Sequence, residues 1–186
     1  MLVKDKMTPR PITVTPETLV SDALKRMRDG RFRRLPVLQG DKLVGIVTDR
    51  ELREAVSANP PVNDVMHKQP LTIQEHEFLE TAALMMRTNK VGALPVMRDK
   101  RLVGIITESD IFDTLLDMMG IRGPGRRLHL TLPDVACSLA NVTRIISAYD
   151  CNISNIVYSG DGELIVRLED GDIEGAVAGL KKAGYM

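Results

Sequence analysis

Leu102-Val103-Gly104-Ile105-Ile106-Thr107-Glu108-Ser109-Asp110 and its earlier copy, Leu43-Val44-Gly45-Ile46-Val47-Thr48-Asp49-Arg50-Glu51, decide how this chain is read. Each opens with a short apolar, β-branched run that predicts a buried strand. Each then delivers a Thr to the mouth of a helical segment with a carboxylate three residues on. A strand feeding a helix N-terminus presents unpaired backbone N–H groups and the positive end of the helix dipole, a natural seat for a phosphate. The chain carries this junction twice.

The copies extend well beyond the junction. Val3-Lys4-Asp5-Lys6-Met7 returns as Val62-Asn63-Asp64-Val65-Met66, and the same offset of 59 residues carries Pro11 to Pro70, Thr13 to Thr72, Met27 to Met86 and Leu35-Pro36-Val37 to Leu94-Pro95-Val96. Two copies at so long a period argue for an internally duplicated module with pseudo-twofold symmetry rather than a solenoid. A purely structural reading of the Thr stands beside the anion-binding one. Thr at N-cap with Glu or Asp three residues on is a capping box, worth on the order of 1 kcal/mol of helix stability. Glu51 suits that role better, and the shorter Asp110 is freer to face a ligand hydroxyl.

At 186 residues the chain has room for two modest domains. Its 25 basic and 25 acidic residues balance, and it has no Trp and only 3 % aromatic residues, so neither overall charge nor stacking surface points to nucleic acid. The first residues lack an apolar signal segment, and no apolar run approaches the roughly 20 residues that span a bilayer, so a cytoplasmic protein without a membrane partner is expected. Cys137 and Cys151 are isolated and expected to be reduced. His67, His76 and His129 have no metal-ligand spacing, so no metal and no catalytic site is expected. The sequons at Asn141 and Asn152 are chance matches without a secretory route.

Along the chain, Pro9 and Pro11 lead into a short strand near Ile12 to Val14. Leu19, Val20, Ala23, Leu24 and Met27 then predict a helix over Thr18 to Asp29 closed by Gly30. Strands at 35–38 and 43–48 and a helix to about Ser57 complete the first copy, residues 1–60, which Asn59-Pro60-Pro61 ends. Residues 61–120 repeat the plan of strand, helix, strand, strand, helix. Residues 121–126, containing Gly123-Pro124-Gly125, read as a linker. From 127 to 186 the order is again strand, helix, strand, strand, helix, with a hairpin around Gly160-Asp161-Gly162 and Asp172 capping the last helix. A ferredoxin-like split βαβ plan wants one more strand, which either lies beyond Met186 or is replaced by another closure of the sheet.

The gapless duplication and the Gly-Ile-x-Thr-x-x-Asp pattern of Gly104 to Asp110 make the first 120 or so residues similar to a tandem pair of CBS domains. That resemblance implies an α+β fold in which two repeats form one pseudo-twofold unit and a cleft between them holds an adenine nucleotide or another adenosyl compound. It implies that the Thr107 hydroxyl meets a phosphate and that Asp110 holds ribose hydroxyls. Arg33 and Arg34, just before the Leu-Pro-Val strand, reach across toward the other repeat's acidic residue, and Ile12, Phe32 and Ile105 flank the ligand. The alternative for the two arginines is a solvated basic face shared with Lys25, Arg26, Arg28 and Arg31. The second cleft, with Thr48 and Glu51 but with Gly92 and Ala93 where the first has arginines, is expected to bind phosphate weakly or not at all.

Residues from about Arg127 resemble an ACT domain through Leu132-Pro133-Asp134-Val135-Ala136-Cys137-Ser138-Leu139, Cys151 to Ile156 and Lys182 to Tyr185. Such modules often bind amino acids at a dimer interface. Here Ala136 and Cys137, following Asp134, stand where that family has Pro and Gly. The loss of the Gly argues against an amino-acid site and leaves dimerisation as the expected role. A CBS pair followed by one ACT-like domain is similar to the acetoin-utilisation type of bacterial protein. The resemblance implies a non-catalytic regulatory sensor, working as a homodimer with no required cofactor, whose ligand is AMP, ADP, ATP, S-adenosylmethionine or a cyclic dinucleotide. A constitutive dimeric scaffold and an amino-acid sensor are the alternatives.

Overall fold

The computed structural model describes all 186 residues. The first repeat comprises β1 (Thr8–Pro9), α1 (Val20–Gly30), β2 (Arg34–Gln39), β3 (Lys42–Thr48) and α2 (Asp49–Ala55). The second comprises β4 (His67–Lys68), β5 (Ile73–Gln74), α3 (Leu79–Asn89), β6 (Ala93–Arg98), β7 (Arg101–Thr107) and α4 (Glu108–Met118). The remainder is β8 (Arg126–Thr131), α5 (Ser138–Ser147), β9 (Asn152–Tyr158), β10 (Glu163–Glu169) and α6 (Ile173–Lys182). Compactness divides the chain between Phe112 and Asp113, inside α4.

Within the first unit the repeats exchange their leading segments. β1 pairs antiparallel with β7 of the second repeat, Thr8 opposite Ile105 and Pro9 opposite Gly104, while β4 pairs with β3 of the first, His67 opposite Ile46 and Lys68 opposite Gly45. The packing follows the same exchange. Val3 is buried in the core built on Leu79, Met86, Leu94 and Ile106, and Val62 in the one built on Met27, Leu35, Val47 and Leu52. A sequence boundary at residue 60 therefore cuts across both cores. Gly104 and Gly45 permit the exchange, since a Cβ on either would lie 2.3 Å or 2.4 Å from the sulfur of Met7 or Met66.

The hairpins β2–β3 and β6–β7 stand where the alternating apolar pattern puts them, each with one register shift near its turn. Two local expectations are corrected. Near residues 12–14 there is no strand but a single bridge from Val14 to Val37. Gly30 is the last residue of α1, and the left-handed residue that closes the helix is Arg31, at φ +55°.

In the second unit the antiparallel sheet runs β8-β10-β9, and α5 and α6 pack Val142, Ile146, Ala176, Val177 and Leu180 against Leu128, Leu130, Leu164, Val166 and Leu168. The N–H of Thr131 donates to the Tyr185 carbonyl at 2.9 Å, so the closing residues run beside the free edge of β8 without forming a strand. The segment read as a linker is held down. The Nη1 of Arg167 donates to the carbonyls of Gly123, Pro124 and Gly125 at 2.9, 3.0 and 3.2 Å, and β8 already begins at Arg126.

Candidate functional site

The exchange of leading segments builds two related clefts from both repeats. The first, about 760 Å³, is lined by Thr8, Arg10, Pro11, Ile12 and residues 30–34 on one side and by Ile105, Thr107, Glu108, Ser109 and Asp110 on the other. All seven residues singled out in sequence for a nucleotide site, Thr107, Asp110, Arg33, Arg34, Ile12, Phe32 and Ile105, line this one cleft. β7 brings Ile105 and Thr107 to its floor, and β1, paired on β7, carries the chain on to Ile12 at its rim.

At the mouth of α4, Thr107 donates to Asp110 Oδ2 through both its N–H and its hydroxyl, each at 2.8 Å, and the Asp110 N–H lies 3.4 Å from the hydroxyl oxygen. The carboxylate expected to be freer than Glu51 thus makes the same local hydrogen bonds, because a Thr oxygen and an acid three residues on are adjacent in the first helical turn whichever acid is present. Arg34 crosses to the second repeat as expected, but its partner is Glu108, at 4.0 Å, rather than Asp110.

The second cleft, about 970 Å³, contains Thr48, Glu51, Ile46, His67, Lys68, Lys90 and Gly92. It is not free of arginine, since Arg33 and Arg34 line it as well as the first and Arg50 adds a third. Sequence position assigns Arg33 and Arg34 to one cleft, whereas β2 begins between the two and brings them to both. Glu51 is committed locally. Its Oε2 accepts from the Thr48 N–H at 2.9 Å and from the Thr48 hydroxyl, and its Oε1 lies 3.4 Å from His67 Nε2. Burial pushes the Glu51 carboxyl up, but the Thr48 hydrogen bonds and His67 outweigh it and hold the group below its ordinary value.

Two arginines of the first cleft carry no signal in a single helix or strand pattern. Arg10 and Arg31 both sit in the left-handed region, at φ +49° and +55°, and both line the cavity. The available signal is the repeat itself, whose equivalent positions are Gln69 and Lys90, also left-handed at +52° and +54°.

In the second unit, Asp134, Ala136 and Cys137 lie exposed in the β8–α5 loop. Cys137 occupies the glycine-type conformation, φ +68°, at the N-cap of α5, and Ser138 closes the loop by donating to the carbonyls of Pro133 and Val135 at 2.9 and 2.8 Å. The glycine geometry therefore persists without the glycine. Cys151 is buried, and burial, with Asp172 and Asp150 nearby, pushes its thiol up, so it is a poor nucleophile. No group of His, Cys, Asp and Glu is arranged to hold a metal ion, and no helix is long and apolar enough to cross a membrane.

The family model of the CBS domain matches residues 3–58 and 62–117, more than half of the chain. The chain belongs to the CBS domain family. CBS pairs are regulatory, non-catalytic modules. A CBS domain-containing protein of Dictyostelium discoideum is 34 % identical over 136 residues, covering 64 % of this chain and 94 % of that protein. The inosine-5'-monophosphate dehydrogenase of Korarchaeum cryptofilum is 38 % identical over 102 residues, 54 % of this chain, which spans only 21 % of that enzyme.

Among solved structures, CBSX2 in complex with AMP is 32 % identical with a TM-score of 0.57 and covers 62 % of this chain and 96 % of its own. The CBS domain pair of protein MJ0100, in complex with 5'-methylthioadenosine and S-adenosyl-L-methionine, is 29 % identical at TM-score 0.59 over 62 % of this chain and 95 % of its own. A Vibrio cholerae protein named for acetoin utilization (AcuB) is 30 % identical at TM-score 0.59 over 66 % of this chain and 95 % of its own.

Proposed function

We propose that this chain is a non-catalytic regulatory sensor that binds an adenine nucleotide or adenosyl compound in the first cleft. The observation that supports this reading best is the convergence of Thr107, Asp110, Arg33, Arg34, Ile12, Phe32 and Ile105 on one cavity at the N-terminus of α4. The α4 dipole and the arginines favour an anion, and Ile12 and Phe32 offer apolar surface to a base. The AMP held by CBSX2 and the adenosyl ligands held by the MJ0100 pair supply the chemical class. Regulation requires that the ligand favour one packing of the repeats over another, since equal affinity for both shifts nothing.

In this reading the second unit, with its ACT-like order of elements, pairs two chains and passes on the change. The protein works in the cytoplasm as a homodimer, and the likeness to the Vibrio cholerae protein suggests acetoin use as one pathway to test. A thermal-shift series with AMP, ADP, ATP, S-adenosylmethionine and the common amino acids tests it. A shift with adenosyl ligands that Asp110→Asn removes supports the sensor, and a shift with an amino acid instead moves the site to the β8–α5 loop.

The second reading is a constitutive scaffold. It is favoured by the hydrogen bonds that Thr48 and Thr107 already make to Glu51 and Asp110, which suffice as helix caps without any ligand. It predicts no shift with any of these compounds.

A further inference from the structure

The charges of the first cleft carry the reading further. Four guanidinium groups, Arg10, Arg31, Arg33 and Arg34, line it against two carboxylates, Glu108 and Asp110. Both carboxylates are engaged, Glu108 with Arg34 at 4.0 Å and Asp110 with Thr107 at 2.8 Å. No side-chain hydrogen bond or ion pair engages Arg10, Arg31 or Arg33. A concave site with uncompensated charge of one sign focuses its field on whatever enters.

The second cleft carries a like excess, five basic side chains against three carboxylates, and shares Arg33 and Arg34, so what is particular to the first is the guanidinium pair of Arg10 and Arg31. Arg10 comes from the segment after β1 and Arg31 from the turn after α1, so the cluster converges from two separate stretches. The pseudo-symmetric positions of the other repeat adopt the same left-handed backbone with Gln69 and Lys90, and Gly92 and Ala93 stand opposite Arg33 and Arg34. The fold accepts other residues at all four places. Arg rather than Lys also matters, because its planar fork matches phosphate oxygens in pairs.

We propose that the first cleft selects nucleotides carrying two or more phosphates, with Arg10 and Arg31 holding the phosphates beyond the first, and disfavours the cationic sulfonium of S-adenosylmethionine. The proposal rests on the sensor reading and narrows its ligand class. One phosphate is met by Thr107 with Arg33 and Arg34. The exposed guanidinium groups of Arg10 and Arg31 at the rim answer a longer phosphate chain.

Isothermal titration of the full chain with AMP, ADP, ATP, S-adenosylmethionine and inorganic tripolyphosphate, at fixed ionic strength, tests it. ADP and ATP are expected to bind about tenfold or more tightly than AMP, as one additional charge-assisted contact allows. S-Adenosylmethionine is expected to bind most weakly among the adenosyl ligands. Arg10→Ala with Arg31→Ala is expected to weaken AMP through the lost field but ADP by about tenfold more, so that the preference for ADP over AMP disappears, with the melting temperature as the control for folding. AMP and ADP binding equally, or S-adenosylmethionine binding more tightly than either, overturns the inference and leaves the sensor reading in place. Tripolyphosphate binding as tightly as ATP overturns the nucleotide assignment in favour of the phosphate chain alone. If none of the five binds, the sensor reading fails and the inference with it.

Discussion

The guanidinium of Arg34 occupies the space that a side chain on residue 92 would need. A Cβ there would lie 2.1 Å from Arg34 Nη2 and 2.8 Å from Glu108 Oε2. Gly92 is the gap through which β2 sends a charge from one repeat to the other, and Arg34 lines both clefts because of it. Gly92→Ala is expected to displace the flexible end of Arg34 rather than the backbone. ADP affinity should fall about tenfold, the size of one charge-assisted contact, with little change in melting temperature. Titration calorimetry on Gly92→Ala and Arg34→Ala checks this, and affinities equal to the wild type would remove Arg34 from the site.

Substitution separates the capping role of Thr107 from the ligand-binding role proposed for it. Thr107→Ala removes the hydroxyl that contacts Asp110 and is expected to cost about 1 kcal/mol of stability as a lost cap. If the same hydroxyl also meets a phosphate, the nucleotide-induced rise in melting temperature disappears too, and Thr107→Ser restores both. A variant that loses stability but keeps the full ligand-induced rise would confine Thr107 to capping.

Much of this was legible in the sequence because duplication doubles every signal. The β-branched runs ending in Thr48 and Thr107 located β3 and β7 with their helices, whereas the arginine asymmetry between Arg33-Arg34 and Gly92-Ala93 pointed to one cleft although both arginines line both. What could not be read is which repeat each short leading segment joins. Thr8–Pro9 and His67–Lys68 are too short to carry a periodic pattern, and their pairing with β7 and β3 is decided by long-range packing of Met7 on Gly104 and Met66 on Gly45. Arg10 and Arg31 escaped for a related reason. Their left-handed backbone is imposed by tertiary context at positions that Gln69 and Lys90 fill equally well.

Glu75 makes acid stability a measure of second-repeat integrity. Its side chain is almost wholly enclosed, and Arg98 grips it through Nη2 at 2.9 Å and through Nε, with His76 at 3.3 Å. The Arg98 hydrogen bonds hold the carboxyl below its ordinary value of 4.5, against burial, with Arg98, His76 and Lys4 charges adding to them. A group depressed on folding stabilises the native state above its unfolded pKa and loses that contribution as pH falls through the folded one. Below pH 4.5 the wild type should lose melting temperature more steeply than Glu75→Gln, which has nothing to protonate there. Parallel acid limbs for the two proteins would show that Arg98 does not hold the carboxylate in solution.

Arg167 does for the second unit what the core does for the repeats. Only 9 % exposed, it gives Nη1 to three consecutive carbonyls, Gly123, Pro124 and Gly125, while facing the like-charged Arg127 directly across β8. The two effects oppose each other. Like charges in a cross-strand pair destabilise by less than about 1 kcal/mol, whereas hydrogen bonds from a charged donor contribute about 1.5–3 kcal/mol, even to carbonyls of residues as exposed as these three. The hydrogen bonds therefore win, and Arg167→Met should lower the melting temperature of the second unit and speed proteolysis within residues 120–126. Since Arg167 lines neither cleft of the repeats, nucleotide affinity should stay within about twofold of the wild type, as expected for sites that share no partners. A variant more stable than the wild type would mean that relief from Arg127 outweighs the three carbonyls. The segment would then be held by Gly125 packed on Leu168 rather than by charge.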